Sequence, residues 1–517
     1  MQQRPIFLLL FFCAVMLSAY EAVCQVQQPK RFEIELEKRD EPFEMINAGE
    51  SGIFLYRPTV ERAKGGYFWD FRMLDKNLKQ LWEKKYQVMD QDQLIGYHAG
   101  QDRIHILSRD GYGSRDDLVI NSFSVLTGDT TTHRFINQVG MQISHFEVFH
   151  GKMFLGGEIN FRPVVMVYDF DTGRGVPLQG LYTDRSELIQ VQPDYENDRM
   201  VVIMQVREKD KTYTLNCKFY DPEGNLLSDT QLKNRGRNSL LDGMAGFLKN
   251  GETLVMGTYG TRRSDYSRGL YLGRLDGQEQ LSLDYFNYGE LNNFFDYMKE
   301  RRQERVKKRI RRRKVKGKKL RFNYRVKLND IIETEDQFIL LGEAFYVRYS
   351  SQPSPRNLNN ASTLNNPAMW RNNAYGNMMS FSGFQYTHAV IMGFDKSGNK
   401  LWDNSFEIND VESLNLEQLV NASVESNDKV VLLYLYENVI RSKIIQGNEV
   451  VEGKSFNDLR LKFEDDIAQK TDSELTGLDH WFGQNFYAHG VQKIKNMRDE
   501  GVKLNREVFF INKIRYE

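Results

Sequence analysis

Cysteine is nearly missing from this sequence: Cys13, Cys24 and Cys217 are the three present in 517 residues. The first two fall in a leader-like segment, so the rest of the chain keeps Cys217 alone and has no internal disulfide. An exported eukaryotic chain of this size ordinarily carries several. Export without disulfides therefore points to a bacterial envelope. Long apolar runs are missing as well. Past the leader no stretch reaches the ~18 apolar residues of a membrane helix, so the chain is expected to be soluble, or held to a membrane by contacts only. Also missing are His-Glu-x-x-His, paired cysteines, a phosphate-cradling glycine loop, a calcium loop and a serine in a nucleophile-elbow context. No cofactor and no metal are expected. Net charge is zero, from 70 basic and 70 acidic residues, but it is unevenly placed.

The leader itself is easily read. Arg4 supplies a positive start, residues 6–17 form an apolar run of secretory length, and Ala22-Val23-Cys24 places small residues where a signal peptidase reads. Residues 1–24 are expected to be a signal peptide, with Gln25 as the first mature residue. The rival is lipidation of Cys24, against which Glu21 stands where a lipobox has a Leu-like residue. The expected location is the periplasm, the outer membrane or the cell surface.

What the rest of the chain does have is a repeat. A polar turn leads into a short apolar strand eight times: before Ile53-Phe54-Leu55, Ile104-His105-Ile106-Leu107, Met153-Phe154-Leu155, Met200-Val201-Val202-Ile203, Thr253-Leu254-Val255-Met256, Phe338-Ile339-Leu340-Leu341, Val430-Val431-Leu432-Leu433 and Phe486-Tyr487-Ala488. The middle residues of successive turns are 51, 49, 47, 53, 85, 92 and 56 positions apart. A second turn follows inside nearly every unit, as at Asp75-Lys76-Asn77, Thr127-Gly128-Asp129, Asp171-Thr172-Gly173, Asp276-Gly277 and Asp395-Lys396-Ser397-Gly398-Asn399. Such turns tolerate positive φ and join antiparallel strands. Two hairpin turns per period of about fifty mean four strands per period, which is a β-propeller blade.

The eighth unit ends before a fourth strand. The alternating Phe32-Glu33-Ile34-Glu35-Leu36-Glu37 lies before the first turn and can supply it, pairing with Glu507-Val508-Phe509-Phe510-Ile511 and removing two sheet edges. The expected fold is all-β: a single propeller over residues 25–517, with eight four-stranded blades, or seven as the alternative. Cys217, in the strand-like Tyr213-Thr214-Leu215-Asn216-Cys217-Lys218-Phe219, reads as a small buried hydrophobe.

The run Asp395-Lys396-Ser397-Gly398-Asn399-Lys400-Leu401-Trp402 resembles the Asp-x-x-x-Gly-x-x-x-Trp docking turn of quinoprotein-type propellers, and a similar turn in the propeller lipoprotein of outer-membrane barrel assembly. Asp75 to Trp82 is the other copy with the tryptophan. The resemblance is one of repeat style and implies a fold, not an activity.

The two long spacings hold insertions. Residues 291–321 form a basic insertion: between 299 and 321 there are fifteen Lys and Arg against Glu300 and Glu304, a local charge of +13. It reads as a helix over 293–321, capped by Asn292 or Asn293, with Phe295, Met298, Arg302, Val306 and Ile310 on one stripe. Arg301, Arg302, Arg305, Lys308, Arg309, Arg311, Arg312, Arg313 and Lys314 are candidate partner-binding residues. The charge could lie on the chain's own acidic surface, or dock an acidic envelope protein or an anionic lipid surface; export argues against nucleic acid. Residues 350–386 read as an Asn-rich mobile loop, in which Trp370, Tyr375 and Phe381 are candidate anchors for a partner.

The eight histidines are scattered, with His145 and His150 flanking one strand, and Glu464, Asp465 and Asp466 read as a solvated face. The function class these features point to is a non-enzymatic scaffold or binding subunit of a larger envelope complex. The alternative is a propeller enzyme or carbohydrate-binding protein. Its site would lie in the central funnel, where groups from different blades converge without leaving a local spacing. Carboxylates converging with aromatic platforms in that funnel would favour the alternative.

Overall fold

The structure, a computed structural model, describes residues 26–137, 139–234, 236–261, 266–350, 380–425, 428–471, 476–498 and 501–516. The proposed leader, Trp370 and Tyr375 lie outside them.

Eight antiparallel sheets form a ring, and each is one blade of a β-propeller. The innermost strands, in order from blade 1, are Glu44–Asn47, Asp92–Ala99, Gln142–Phe149, Ser186–Asp194, Met244–Phe247 beside Asn238–Leu240, Arg325–Glu333, Asn421–Val424, and Gly477–Phe482 beside Asp466–Thr471. Burial explains the sequence pattern. Second strands such as Arg199–Arg207 are covered by neighbouring blades on both faces, so Met200 to Met204 are buried without a break. Such strands read as continuous apolar runs. Outer strands such as Gln80–Met89 have only exposed and half-buried residues in alternation. The core is thus a ring of layers between blades: Ile46, Phe54 and Phe71 of blade 1 pack with Ile104, Ile106 and Phe123 of blade 2. A ring of thin layers grows by repetition, which is how one fold passes the ~250–300 residues where a single core stops growing.

The second turns share one device. A carboxylate at the head of the turn accepts the backbone N–H groups that follow. Asp75 takes those of Asn77 and Lys79, Asp276 those of Gln278 and Glu279, and Asp395 those of Ser397 and Asn399, all at 2.7–2.9 Å. The two tryptophans that follow such turns sit at blade boundaries. Trp82 donates to the carbonyl of Val125 in the next blade at 2.8 Å. Trp402 donates to Gln337 at 3.0 Å and faces Gly447 of blade 7.

The ring is closed by the first strand. Val26–Leu36 pairs antiparallel with Asn505–Tyr516, with Ile34 opposite Phe509 and Leu36 opposite Glu507, as the alternation in the sequence requires. Asp466, expected on a solvated face, is instead buried. Its carboxylate takes two hydrogen bonds from Arg506 and one from Asn496. A partner forty residues away, out of reach of local spacing, overturns that reading.

Two further expectations are corrected. The helix runs over Glu300–Val315, which we call α1, and its N-cap is Lys299. It starts late because Asn292 and Asn293 are engaged elsewhere: their N–H groups point at Asp403, at 3.1 and 2.8 Å. The Asn-rich segment also ends earlier than expected. Residues 380–386 belong to strand Ser380–Asp395, where Phe384 and Tyr386 are buried, and Phe381 packs on Phe384 with ring centroids 5.1 Å apart. Phe381 is part of the blade 6–7 packing rather than a free anchor.

Candidate functional site

The basic insertion divides into two halves with different chemistry. Residues 288–298 cover the outer edge of blade 6. There Phe294 and Phe295 are buried, and Tyr297 lies flat on the His388 ring with centroids 3.7 Å apart. Burial pushes His388 down to about 3, so the imidazole is neutral. The covered strand, Lys400–Glu407, has five consecutive buried residues where other outer strands are open. Its Asp403 is fully buried, holds the Asn292 and Asn293 amides, and pairs with Lys400 at 2.7 Å.

The second half is α1. Val306 and Ile310 turn towards the core between blades 5 and 6, and Gln303 and Arg313 are half-buried on the same side. Arg302, expected on that stripe, is exposed, as are the other candidate cations of the helix apart from Arg313. At the C-terminal end the chain turns back at Gly317, whose φ is +58°. The N–H of Lys318 reaches the carbonyl of Arg313 at 2.9 Å, and that of Gly317 reaches Lys314 at 3.0 Å. This double bond pattern closes a helix with a left-handed glycine just past its end. Arg313 then donates to the Lys319 carbonyl at 2.8 Å, fixing the return against the helix.

The result is a groove of about 480 Å³ lined by seven basic side chains: Arg305, Lys308, Arg309, Arg312, Arg313, Lys316 and Lys318. Five of these were expected from the sequence. Arg301, Arg302, Arg311 and Lys314 lie on the helix but do not line the groove. Lys316 and Lys318 were missed, and the signal that could have found them was Gly317.

Own counter-charge is scarce. Among the described residues, the ion pair α1 makes with the body is Lys307 to Asp296, at 3.3 Å. Arg309 rests over the Phe322 ring, 5.8 Å from its centroid. Arg312, Arg313 and Lys314 occupy the last turn, where cations oppose the helix dipole. Arg305, Lys308 and Arg309 lie mid-helix and have no such reason. Like charges at i,i+4, such as Arg305 with Arg309 and Lys308 with Arg312, each cost about 0.2–0.5 kcal/mol.

The innermost strands form a second polar region. His98 of blade 2 and Glu147 of blade 3 meet at 3.0 Å. Tyr97 is half exposed. Burial raises its phenol, and so do the charges of Asp479 and Glu44 from blades 8 and 1. Asp479 also meets His489 at 3.2 Å. His145 contacts the Ser144 hydroxyl and the Ile189 carbonyl, and His150 faces Asp198 at 2.6 Å. Among the described residues no three His, Cys, Asp or Glu side chains gather as a metal site. Cys217 is buried, and burial pushes its thiol up to about 12.

No protein-family model and no curated protein matches this chain. Solved structures match it at low identity and low TM-score. The β-propeller domain of the Trilobed protease from Pyrococcus furiosus is 7% identical, covering 81% of this chain and 93% of its own, with a TM-score of 0.35. The Dos1 propeller is 10% identical over 83% and 96%, with a TM-score of 0.38. A eukaryotic initiation factor is 10% identical over 92% and 91%, with a TM-score of 0.40. At these values none of them bears on family or activity.

Proposed function

We propose that this protein is an exported, non-enzymatic binding scaffold of a bacterial cell envelope, and that α1 is the arm by which it docks an acidic counterpart. One observation carries the reading. The helix keeps a row of mid-helix cations at a cost to itself, and among the described residues the carboxylate of the body paired with it is Asp296. A helix folded onto its own acidic surface would show a ladder of ion pairs instead. The leader-like segment 1–24 supports export, and the shortage of cysteine favours a bacterial envelope over a eukaryotic secretory route. No described helix is long and apolar enough to cross a membrane.

The test is affinity purification from native envelopes with the full-length protein and with a variant in which residues 299–319 are replaced by a short Gly/Ser linker. The scaffold reading expects co-purifying envelope components with the first and their loss with the second. Equal recovery with both would sink it.

A second reading is a ligand site in the central channel. It is favoured by Tyr97, Glu44 and Asp479, which three neighbouring blades bring close enough for both carboxylates to act on the phenol. Its discriminator is binding of oligosaccharides to the intact propeller, lost on Tyr97→Ala and unaffected by deleting the arm.

A further inference from the structure

Resting on the docking reading above, we infer that the groove between α1 and the turn that follows it takes phosphate groups, and that their source is the headgroup layer of an anionic lipid surface. The first step is charge density. Seven cations surround about 480 Å³. A phosphate monoester concentrates up to about two negative charges and three acceptor oxygens in one compact group, so about four would balance the groove. A carboxylate brings one charge on a whole residue, so phosphate monoesters balance these cations with fewer groups.

The second step is the kind of cation. Arg305, Arg309 and Arg312 carry planar forks suited to bidentate recognition of phosphate, and their spacing puts successive forks about one helical turn apart. Lys308 and Lys316 add point charges on the same stripe. Two of the carbonyls at the end of the helix, those of Arg313 and Lys314, are engaged by the Lys318 and Gly317 amides.

The third step is the apolar tip. Val315 is 88% exposed, directly before Lys316, on a helix whose other two aliphatic residues, Val306 and Ile310, turn to the core. An exposed aliphatic residue ringed by cations suits the boundary between headgroups and acyl chains, with the lysine stems reaching back to the phosphates. A soluble phosphate compound would gain nothing from it. With no described helix able to span, attachment of this kind would be peripheral and sensitive to salt.

The experiment is vesicle flotation of the mature protein. Three vesicle types are used: phosphatidylcholine alone, phosphatidylcholine with phosphatidic acid, and phosphatidylcholine with oleate at the same surface charge. Binding to the phosphatidic acid vesicles, much weaker binding to the oleate vesicles and none to the neutral ones is the expected result. The variant Arg305→Gln/Arg309→Gln/Arg312→Gln should bind about a hundredfold more weakly, with unchanged melting. Val315→Asp should weaken vesicle binding while leaving tripolyphosphate binding, read by calorimetry, intact. Tripolyphosphate binding without vesicle binding would assign the groove to a soluble phosphate compound and overturn the lipid source. Equal binding to oleate and phosphatidic acid would overturn the preference for phosphate. Binding to polyglutamate but to no vesicle would overturn this inference and leave the docking reading standing. Binding to none of these probes, with no partner recovered from envelopes, would remove both.

Discussion

Arg506 grips Asp466 with both arms of its guanidinium, at 2.9 and 2.5 Å, inside the sheet where the two ends of the chain meet. Glu33 of the closing strand lies 3.8 Å from the same guanidinium and 2.6 Å from Arg31, which also donates to Gln492 and Asn512. The ring is therefore latched by a buried charge network as well as by strand pairing.

Breaking the latch on one side should be severe. Arg506→Leu leaves Asp466 buried without its partner, which typically costs about 3–5 kcal/mol. Burial alone would raise the Asp466 carboxyl, but the Arg506 and Asn496 hydrogen bonds outweigh it and hold the group below its usual range. A depressed folded-state value gives stability that is present above about pH 4 and lost as pH falls through the folded value. Urea unfolding should show a large deficit for the variant at pH 7, and the gap should close below pH 4. A constant deficit at all pH values would mean that the pair acts through packing alone.

The two halves of the basic insertion should separate in stability measurements. Asp403→Ala strands the Asn292 and Asn293 amides and Lys400 in a buried edge, and should cost about 2–3 kcal/mol. Arg309→Gln on the outer half should lie within about 0.5 kcal/mol of the parent, as exposed substitutions do. Melting curves of the two single variants decide this. Comparable losses in both would show that α1 is part of the core, not an appended arm.

What was legible in the sequence follows the range of the interactions. The turns were legible because Asp75, Asp276 and Asp395 bond amides two to four residues ahead. The closing strand was legible because alternation is a local pattern, and Phe32, Ile34 and Leu36 all pack in the blade 8–1 layer. The helix was visible as a charge run, but its start was not. Asn292 and Asn293 look like caps until Asp403, more than a hundred positions on, takes their amides. The groove was half legible: the stripe Arg305, Lys308, Arg309, Arg312 is helical spacing, whereas Lys318 joins only because the chain turns back at Gly317. The channel groups Glu44, Tyr97 and Asp479 come from three blades, and no local spacing relates them.

Trp82 and Gly128 should behave as one unit. Gly128 has φ +68°, and a Cβ there would come within 2.7 Å of the Trp82 ring. Gly128→Ala therefore meets both backbone strain and a clash with a ring anchored to Val125. A loss of about 2–3 kcal/mol is expected. Gly128→Ala in a Trp82→Leu background should cost clearly less than in the parent, since only the strain remains. A double-mutant cycle with no coupling would count against the contact.

The last expectation concerns pH at the boundary between blades 6 and 7. Glu343 is fully buried and accepts the amides of Leu419 and Val420 at 3.0 and 2.5 Å, while its second oxygen, Oε2, has no partner. Burial pushes the carboxyl up to about 7, against the pull of those amides, of Asn329 and of Lys327. A carboxyl raised in the folded state binds more protons there than in the unfolded chain, so the sign is the reverse of that for Asp466. Stability is fully present below about pH 4.5 and is lost as pH rises through 7. The titratable groups that interact with Glu343 are Lys327 on the innermost strand of blade 6 and Tyr386 on the third, both of which also feel Glu417 in the connection to blade 7. Lys327 is itself lowered by burial, against the pull of Glu343 and Glu417. Glu343→Gln keeps an oxygen for the two amides and removes the titration. It should flatten the stability profile between pH 4.5 and 7 and leave the variant more stable than the parent at pH 8, by about 2–3 kcal/mol. Chemical unfolding at a series of pH values measures this, and an unchanged slope in the variant would place the titrating group elsewhere.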